Sequence, residues 1–242
     1  MVVLVEEEKK ILTPDEFWQE FYGGEELVLS ESDYELLHLL RNSVILKIGK
    51  KGSGKTMTAV RNAWLLSQVF GMEIVTDFRL NSTFGDFHPV RMRDIVGFLE
   101  QLAKVAELDL TAPEEAQFAL EMLAKKLGFS LFNSVIMLDE AYKYLDSRSP
   151  SAKITKWFTH WISQIRHFKS CLMLMAPHDD MLDKRATRQI DFLGSCYSSR
   201  DDPLAYCYLE DLDDGDSYRI RLEKAKWGQL YESENKLSIF PR

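Results

Sequence analysis

The sequence predicts an α/β fold, in which a mostly parallel sheet is covered by helices on both faces. Short apolar segments alternate with longer segments of helical periodicity between residues 43 and 199. A glycine-rich loop follows the first apolar segment, and a later apolar segment ends in two adjacent carboxylates. This alternation is typical of parallel sheets, because a parallel strand reaches its neighbour through a helical crossover.

The residues before the first strand predict a helical extension, residues 1–42, that packs on the core. Thr13-Pro14-Asp15-Glu16 is a typical helix start, with Thr as the N-cap and Pro in the first helical position. That short helix would end before Gly23-Gly24. A second helix is predicted from Ser32 to Leu40.

Residues 49–56 form a complete P-loop of the pattern G-x-x-x-x-G-K-[ST]. The loop follows the predicted strand Ser43–Ile48 and opens onto a helical segment from Thr56 to about Val69, which is the context that this motif requires. Glycines and a helix N-terminus turn backbone N–H groups toward phosphates. Lys55 would bind the β- and γ-phosphates of ATP, and the Thr56 hydroxyl would bind Mg²⁺. The predicted nucleotide-binding residues are Gly49, Lys50, Lys51, Gly52, Ser53, Gly54, Lys55, Thr56 and Met57.

The later elements are predicted from apolar runs and helical periodicity. The further strands are Met72–Thr76, Ser134–Leu138, Cys171–Met175 and Ser195–Ser199. The helices cover about Met92–Glu107, Thr111 to about Lys126, and residues 152–168. The segments Ala205–Leu209 and Tyr218–Leu222 flank Asp213-Asp214-Gly215-Asp216, which predicts a C-terminal β-hairpin.

The strand Ser134–Leu138 ends in Asp139-Glu140, which is a Walker B pattern. Asp139 would hold the metal, and Glu140 would orient and polarise the attacking water. Asp77 also ends a predicted strand, either as a support for this site or as a strand-terminating residue. The two motifs predict a P-loop NTPase of the RecA/ASCE type over residues 43–242, with an additional strand between the P-loop strand and the Walker B strand.

Composition and charge agree with an intracellular, cytoplasmic protein. The chain has 242 residues and is 45% apolar, and no run of 18 apolar residues predicts a membrane span. Its three cysteines lack the spacing of a metal site or disulfide framework. Net charge is −8, but residues 201–217 alone hold seven acids and no Lys or Arg. This acidic segment would either contact a neighbouring molecule or keep the protein soluble.

The motifs together resemble the FtsK–HerA superfamily. The resemblance lies in the P-loop, in Leu138–Arg148, in Asp183-Lys184-Arg185 and in Leu230–Glu234, within residues 43–235. It is strongest to small archaeal and viral DNA-packaging-type ATPases and to zonula occludens toxin-like assembly ATPases. Pro177 stands where that superfamily usually has a sensor Gln, and the following His178 is the candidate replacement.

The resemblance implies a ring, most often a hexamer, in which an arginine enters the neighbouring subunit's site. Arg166 is the first candidate for this arginine finger, and Arg148 and Arg185 are the alternatives. The resemblance also implies double-stranded DNA as the substrate, with Arg148, Lys153 and Lys156 as candidate contacts. These lysines share a helix face with His160, Ser163 and His167, which would otherwise be an ordinary solvated face.

We therefore expect an ATP-hydrolysing motor subunit that translocates or packages double-stranded DNA, together with a capsid or membrane-associated assembly protein. One alternative is an ATPase that extrudes a filamentous virus or a pilus-like polymer. Another is a nucleotide-dependent regulatory switch, but Asn235-Lys236 is followed by Leu237-Ser238 and forms no guanine signature. A small-molecule kinase would need an arginine-rich lid, which the sequence does not suggest.

Overall fold

An eight-stranded mixed sheet organises the computed structural model, which describes residues 30–81, 87–106, 121–146, 148 and 153–236. The strands are β1 (Val44–Ile48), β2 (Glu73–Thr76), β3 (Phe78–Leu80), β4 (His88–Pro89), β5 (Ser134–Leu138), β6 (Cys171–Ala176), β7 (Phe192–Tyr197), β8 (Leu204–Asp211), β9 (Ser217–Glu223) and β10 (Tyr231–Lys236). The helices are α1 (Glu31–Leu40), α2 (Lys55–Phe70), α3 (Met92–Ala106), α4 (residues 121–127), α5 (Lys153–Ile162), α6 (Lys184–Thr187) and α7 (Lys224–Trp227).

The strand order across the main sheet is β4-β2-β5-β6-β1-β7-β8-β9. The strands from β4 to β7 are parallel, and β8 and β9 extend the sheet as an antiparallel hairpin. The predicted α/β P-loop architecture is therefore confirmed. The additional strand that was predicted between the P-loop strand and the Walker B strand is β6.

Two apolar clusters cover the two faces of the sheet. One packs α1 and α2 against alternate residues of the strands, such as Ile45 and Met137. The other packs α3 and α5 against the opposite residues, such as Leu46 and Leu138. Strands β5 and β6 are buried along their whole length, which explains why they read as continuous apolar runs.

Helix α1 begins within a residue of the predicted position. The Ser30 side chain accepts a hydrogen bond from the Asp33 N–H, so it caps the helix. Buried leucines of α1 join the same cluster as α2. The predicted helix at Thr13 and the beginning of the one at Thr111 lie outside the described residues, and the domain boundary at residue 42 stays a prediction.

The predicted helix over residues 152–168 ends early, at Ile162. Residues 163–169 form turns in which Gln164 and Ile165 bond to carbonyls three residues before them. Ile165 and Phe168 are buried although they lie beyond the helix, so the apolar spacing of the sequence continues past the helix end. The turn is tighter than an α-helix, and apolar spacing alone does not distinguish the two.

The predicted strand Ser195–Ser199 is also wrong in its bounds, because β7 runs from Phe192 to Tyr197. Pairing with β1 sets this register, with Ile45 opposite Phe192. The hairpin prediction is confirmed, and both of its strands are longer than predicted. The short antiparallel pair of β3 and β10 was not predicted.

The P-loop rests on the ends of β7 and β8. Gly49 has a φ of 145°, and a Cβ at this position would lie 2.5 Å from the Cys196 carbonyl oxygen. Gly54 has a φ of 91°, and a Cβ there would lie 2.9 Å from the Ala205 Cβ. Glycine is needed at both positions, because a side chain would strain the backbone and displace the loop from its support.

We expect Gly49→Ala to reduce the free energy of unfolding by at least about 1 kcal/mol more than Gly52→Ala. Gly52 also has a positive φ, 80°, but a Cβ there would meet nothing within 4 Å. Both variants carry the backbone cost of about 1–2 kcal/mol, whereas only Gly49→Ala adds overpacking against a carbonyl. Urea unfolding of the two variants measures the difference, and equal losses would contradict this account of the loop's support.

Candidate nucleotide-binding site

The P-loop presents the N-terminus of a 16-residue helix to the cleft. Gly54 is the N-cap of α2 in a left-handed conformation, and no acidic residue stands in the first turn. The Lys55 ammonium donates to the carbonyls of Gly49 at 2.7 Å and Lys50 at 3.1 Å, so it lies across the loop. Free N–H groups and the helix dipole make this point attractive to anions.

The Walker B strand reaches the same edge of the sheet. Leu46 of β1 and Leu138 of β5 both lie opposite Leu174 of the intervening strand β6. Two strand spacings therefore separate the strands, roughly 10 Å. The loop that follows β1 and the carboxylates that follow β5 meet across this gap.

The backbone turns sharply at the two carboxylates. The Glu140 N–H donates to Asp139 Oδ1 at 2.8 Å, and Glu140 itself has a φ of 54°. A left-handed conformation at a residue with a side chain is strained, and such strain is concentrated at functional sites. The Glu140 carboxylate forms an ion pair with Lys143 in the short 3₁₀ turn that follows.

Asp77 holds this turn in place from the end of β2. Its Oδ1 accepts a hydrogen bond from the Asp139 N–H at 2.8 Å, and its Oδ2 accepts one from the Tyr144 hydroxyl at 3.3 Å. Burial, and then the charge of Asp77, raise the pKa of Tyr144 well above its usual range, so its hydroxyl stays protonated and can donate. Of the two interpretations of Asp77, the contacts favour support of the site.

The two motifs line one cleft of about 620 Å³. Its polar lining comes from Lys51, Gly52, Lys55, Thr56, Asp139 and Glu140. This volume lies within the range typical of ligand pockets. The Thr56 hydroxyl and the Asp139 carboxylate offer the oxygen ligands that Mg²⁺ prefers, and Lys55 offers positive charge to phosphates. The residues present therefore fit a magnesium-bound nucleoside triphosphate.

Sequence reasoning missed the aromatic side of this cleft. Phe78, Tyr142 and Tyr231 line it together with the two motifs. Phe78 and Tyr231 arrive there through the unpredicted pairing of β3 with β10. Burial and then the negative charge of Asp139 raise the pKa of Tyr231. The segment Leu230–Glu234 had indicated a family resemblance, but no pattern in it indicated that it would reach the nucleotide site.

The arginine-finger candidates are not among the residues that line this cleft, and each forms an ion pair. The Arg166 guanidinium is 2.6 Å from Asp191 Oδ1, and Asp191 Oδ2 accepts a hydrogen bond from the N–H of Val44. Because Val44 begins β1, Arg166 lies at the opposite edge of the sheet from the P-loop. Arg148 pairs with Asp146 at 3.0 Å, and its side chain is 82% exposed.

The other predicted residues are placed as follows. Arg185 pairs with Asp183, and this hydrogen-bonded guanidinium holds the pKa of that carboxyl below its usual range. Pro177 lines the cleft, while the His178 side chain is exposed, so a sensor role for His178 stays a prediction. The side chains of Lys153 and Lys156 lie outside the described part of the chain, although their backbone belongs to α5.

Three solved structures illustrate what the chain is similar to. The genome packaging NTPase of Sulfolobus turreted icosahedral virus 2, in complex with ATP-gammaS, is 14% identical; the match covers 74% of this chain and 97% of that chain, with a TM-score of 0.48. The N-terminal domain of zonular occludens toxin from Neisseria meningitidis is 15% identical over 78% of this chain and 98% of that chain, with a TM-score of 0.49.

The third is the pCW3 conjugation coupling protein TcpA with ATPgS, which is 15% identical over 78% of this chain and 63% of that chain, with a TM-score of 0.49. No curated protein matches the sequence. None of the described helices combines the length and apolar character that crossing a bilayer requires.

The Zonular occludens toxin (Zot) family model matches residues 43–197, which is more than half of the chain. The matched range contains the P-loop, the Walker B strand and the strand between them. The predicted resemblance to zonula occludens toxin-like ATPases is confirmed, and with it the class of P-loop ATPase. The chain belongs to the Zonular occludens toxin (Zot) family.

Proposed function

We propose that the protein is an ATP-hydrolysing motor subunit that translocates or packages double-stranded DNA. The observation that carries the ATPase part is the cleft in which Lys55 and Thr56 face Asp139 and Glu140. Binding and activation groups for a triphosphate meet there from two separate parts of the chain. The proposals that the protein is a motor and that it acts on DNA are based on the family resemblance.

The P-loop binds the triphosphate in this proposal. The Lys55 ammonium exchanges its contacts with the carbonyls of Gly49 and Lys50 for contacts with phosphate oxygens. The N–H groups at the start of α2 provide further donors at the same point. Thr56 and Asp139 would hold Mg²⁺, which would neutralise phosphate charge when bound.

Glu140 is the proposed general base. Its carboxylate orients a water molecule toward the γ-phosphate and accepts a proton from it. The ion pair with Lys143 competes for the same carboxylate, so we expect this pair to loosen when the triphosphate is in place. Asp77 keeps the turn from relaxing, because it binds the Asp139 N–H.

Supply of an arginine from a neighbouring subunit agrees with the position of Arg166. The P-loop follows the end of β1, whereas Arg166 lies at the beginning of this five-residue strand. That separation is about 15 Å, so the guanidinium does not reach the P-loop of its own subunit, and in this proposal it serves a neighbouring subunit's site. The proposal therefore includes a ring in which each subunit completes its neighbour's site.

The DNA part of the proposal draws on exposed groups near α5. His160, His167 and Lys169 are exposed, as is the ion-paired Arg148. Contacts of this kind with phosphates would be independent of sequence and sensitive to salt. The clustered acids of residues 201–217 lie on the hairpin β8–β9 and its flanking loops, and the hairpin turn bonds to Asp191, the partner of Arg166, through the Leu212 N–H.

Glu140→Gln should retain nucleotide binding and lower kcat by about 10²–10⁴-fold, because an amide accepts no proton from the attacking water. Fluorescent ATP-analogue titration and phosphate release measure the two quantities. Glu210→Gln, at an exposed position on β8, is the matched control and should change neither. Unchanged hydrolysis in the Glu140 variant would refute its role.

Double-stranded DNA should stimulate hydrolysis, and the specific activity should rise steeply with protein concentration as rings assemble. The measurement is ATPase activity with and without DNA over a series of protein and salt concentrations. Stimulation should weaken as salt rises, since counterions compete for the phosphates. Hydrolysis that is indifferent to DNA would instead favour an assembly or extrusion ATPase.

Arg166→Ala should abolish most hydrolysis, and mixing it with Glu140→Gln should restore part of the activity. An arginine finger is worth roughly 10³–10⁵ in rate. In mixed rings, an intact site of the first variant can receive Arg166 from the second. The control mixture pairs Arg166→Ala with the Arg166→Ala, Glu140→Gln double variant and should stay inactive.

Restoration in the control mixture, or none in the test mixture, would exclude Arg166 as the finger. Arg148→Ala and Arg185→Ala are then tested in the same way.

A further inference from the structure

A buried cluster of one lysine and two cysteines lies under the P-loop. Lys47 belongs to β1, the strand that leads into the loop, and its side chain is fully buried. Its Nζ lies 3.8 Å from the Cys207 sulfur. Across the described residues, no carboxylate lies within ion-pair distance of Lys47, so the cysteine is the partner of a buried ammonium group.

Cys196 and Cys207 are direct cross-strand neighbours in the antiparallel pair β7–β8. Both side chains point to the buried face and belong to the same apolar cluster. Opposite residues of an antiparallel pair have Cα atoms about 4.5–5.5 Å apart, which is within the range that a disulfide can bridge. Both thiols are free in this structure.

The surroundings favour the thiolate at Cys207. The neighbouring Cys196 thiol lowers the pKa of Cys207, and the positive charge of Lys47 lowers it further, against the opposing effect of burial. The neighbouring Cys207, and then burial, raise the pKa of Cys196, so Cys196 keeps its proton. A thiolate beside a thiol provides the nucleophile and the second sulfur atom that a disulfide needs.

We propose that Cys196 and Cys207 form an oxidisable dithiol, a modification site for peroxides whose disulfide weakens nucleotide binding. The Cys207 thiolate attacks the peroxide O–O bond and becomes a sulfenic acid, with release of hydroxide from hydrogen peroxide. The Cys196 thiol then attacks that sulfur, and the S–S bond forms as water leaves. The two sulfur atoms give up two electrons, and the peroxide is reduced to one water and one hydroxide, which takes a proton from the solvent.

The disulfide reaches the nucleotide site through the support of the P-loop. The Cys196 carbonyl oxygen is the atom against which Gly49 packs, and Ala205, two residues before Cys207, is the one against which Gly54 packs. The Cys196 sulfur also lies 3.6 Å from Thr58 Oγ1 in the first turn of α2. A disulfide would turn that sulfur toward Cys207 and pull the two supporting strands together.

The experiment exposes the full chain to hydrogen peroxide, blocks the remaining thiols under denaturing conditions and maps disulfides by mass spectrometry without reduction. We expect a Cys196–Cys207 disulfide that dithiothreitol reverses, and at least a fivefold weaker affinity for a fluorescent ATP analogue in the oxidised protein. Lys47→Met should form the disulfide about tenfold more slowly, since it removes the charge that favours the thiolate.

Cys171→Ala is the matched control, because this third buried cysteine lies in β6 and burial raises its pKa. It should oxidise and respond as the parent does, whereas Cys196→Ala should form no disulfide and keep its affinity. No disulfide between these two residues, an unchanged affinity after it forms, or an equal rate in Lys47→Met would overturn the proposal.

The effect on affinity rests on the proposed nucleotide site, but disulfide mapping does not. A reduced protein that bound no ATP analogue would therefore count against the proposed function, and the mapping would still decide the dithiol.

Discussion

The lateral register of three parallel strands is the constraint on which the site depends. Leu46, Leu174 and Leu138 stand side by side across β1, β6 and β5. A slip of one residue would exchange the side chains that pack against the two helical layers, so close packing on both faces fixes the alignment. With the strands aligned, the P-loop and the Walker B carboxylates emerge at the same edge. The relative position of the two motifs is thus fixed by the packing of the sheet.

Strained backbone at that edge is held by buried hydrogen bonds. Glu140 adopts a left-handed conformation that costs about 1–2 kcal/mol. Asp77 and Tyr144 offset this cost, because the buried carboxylate binds the Asp139 N–H and accepts the tyrosine hydroxyl. The turn that carries Glu140, the proposed general base, is therefore held by a second carboxylate from a neighbouring strand. The two carboxylates, the strained backbone of Glu140 and the hydrogen bond to Asp77 all lie within one turn of the chain.

On the side away from the Walker B carboxylates, the P-loop is supported by close packing rather than by charged groups. Gly49 and Gly54 approach β7 and β8 so closely that no side chain fits between them. A P-loop motif does not require an antiparallel hairpin. Here the hairpin nevertheless supports the loop of the nucleotide site. Lys47 is buried beneath it with a sulfur atom as its partner. The hairpin and the P-loop are therefore in direct contact.

Sequence alone determined the class of fold, the strand–loop–helix of the P-loop and the Asp139-Glu140 strand end, because these depend on local periodicity and on neighbouring residues. It also indicated the hairpin, through turn residues between apolar runs. It misplaced the end of α5 and the bounds of β7, since apolar spacing continues through a tight turn and strand bounds are set by partner strands. Only the tertiary structure decided that Asp77 supports the Walker B turn and that Tyr231 reaches the cleft. Those contacts join residues far apart in the chain, and their free energy comes from burial and pairing that no local pattern records.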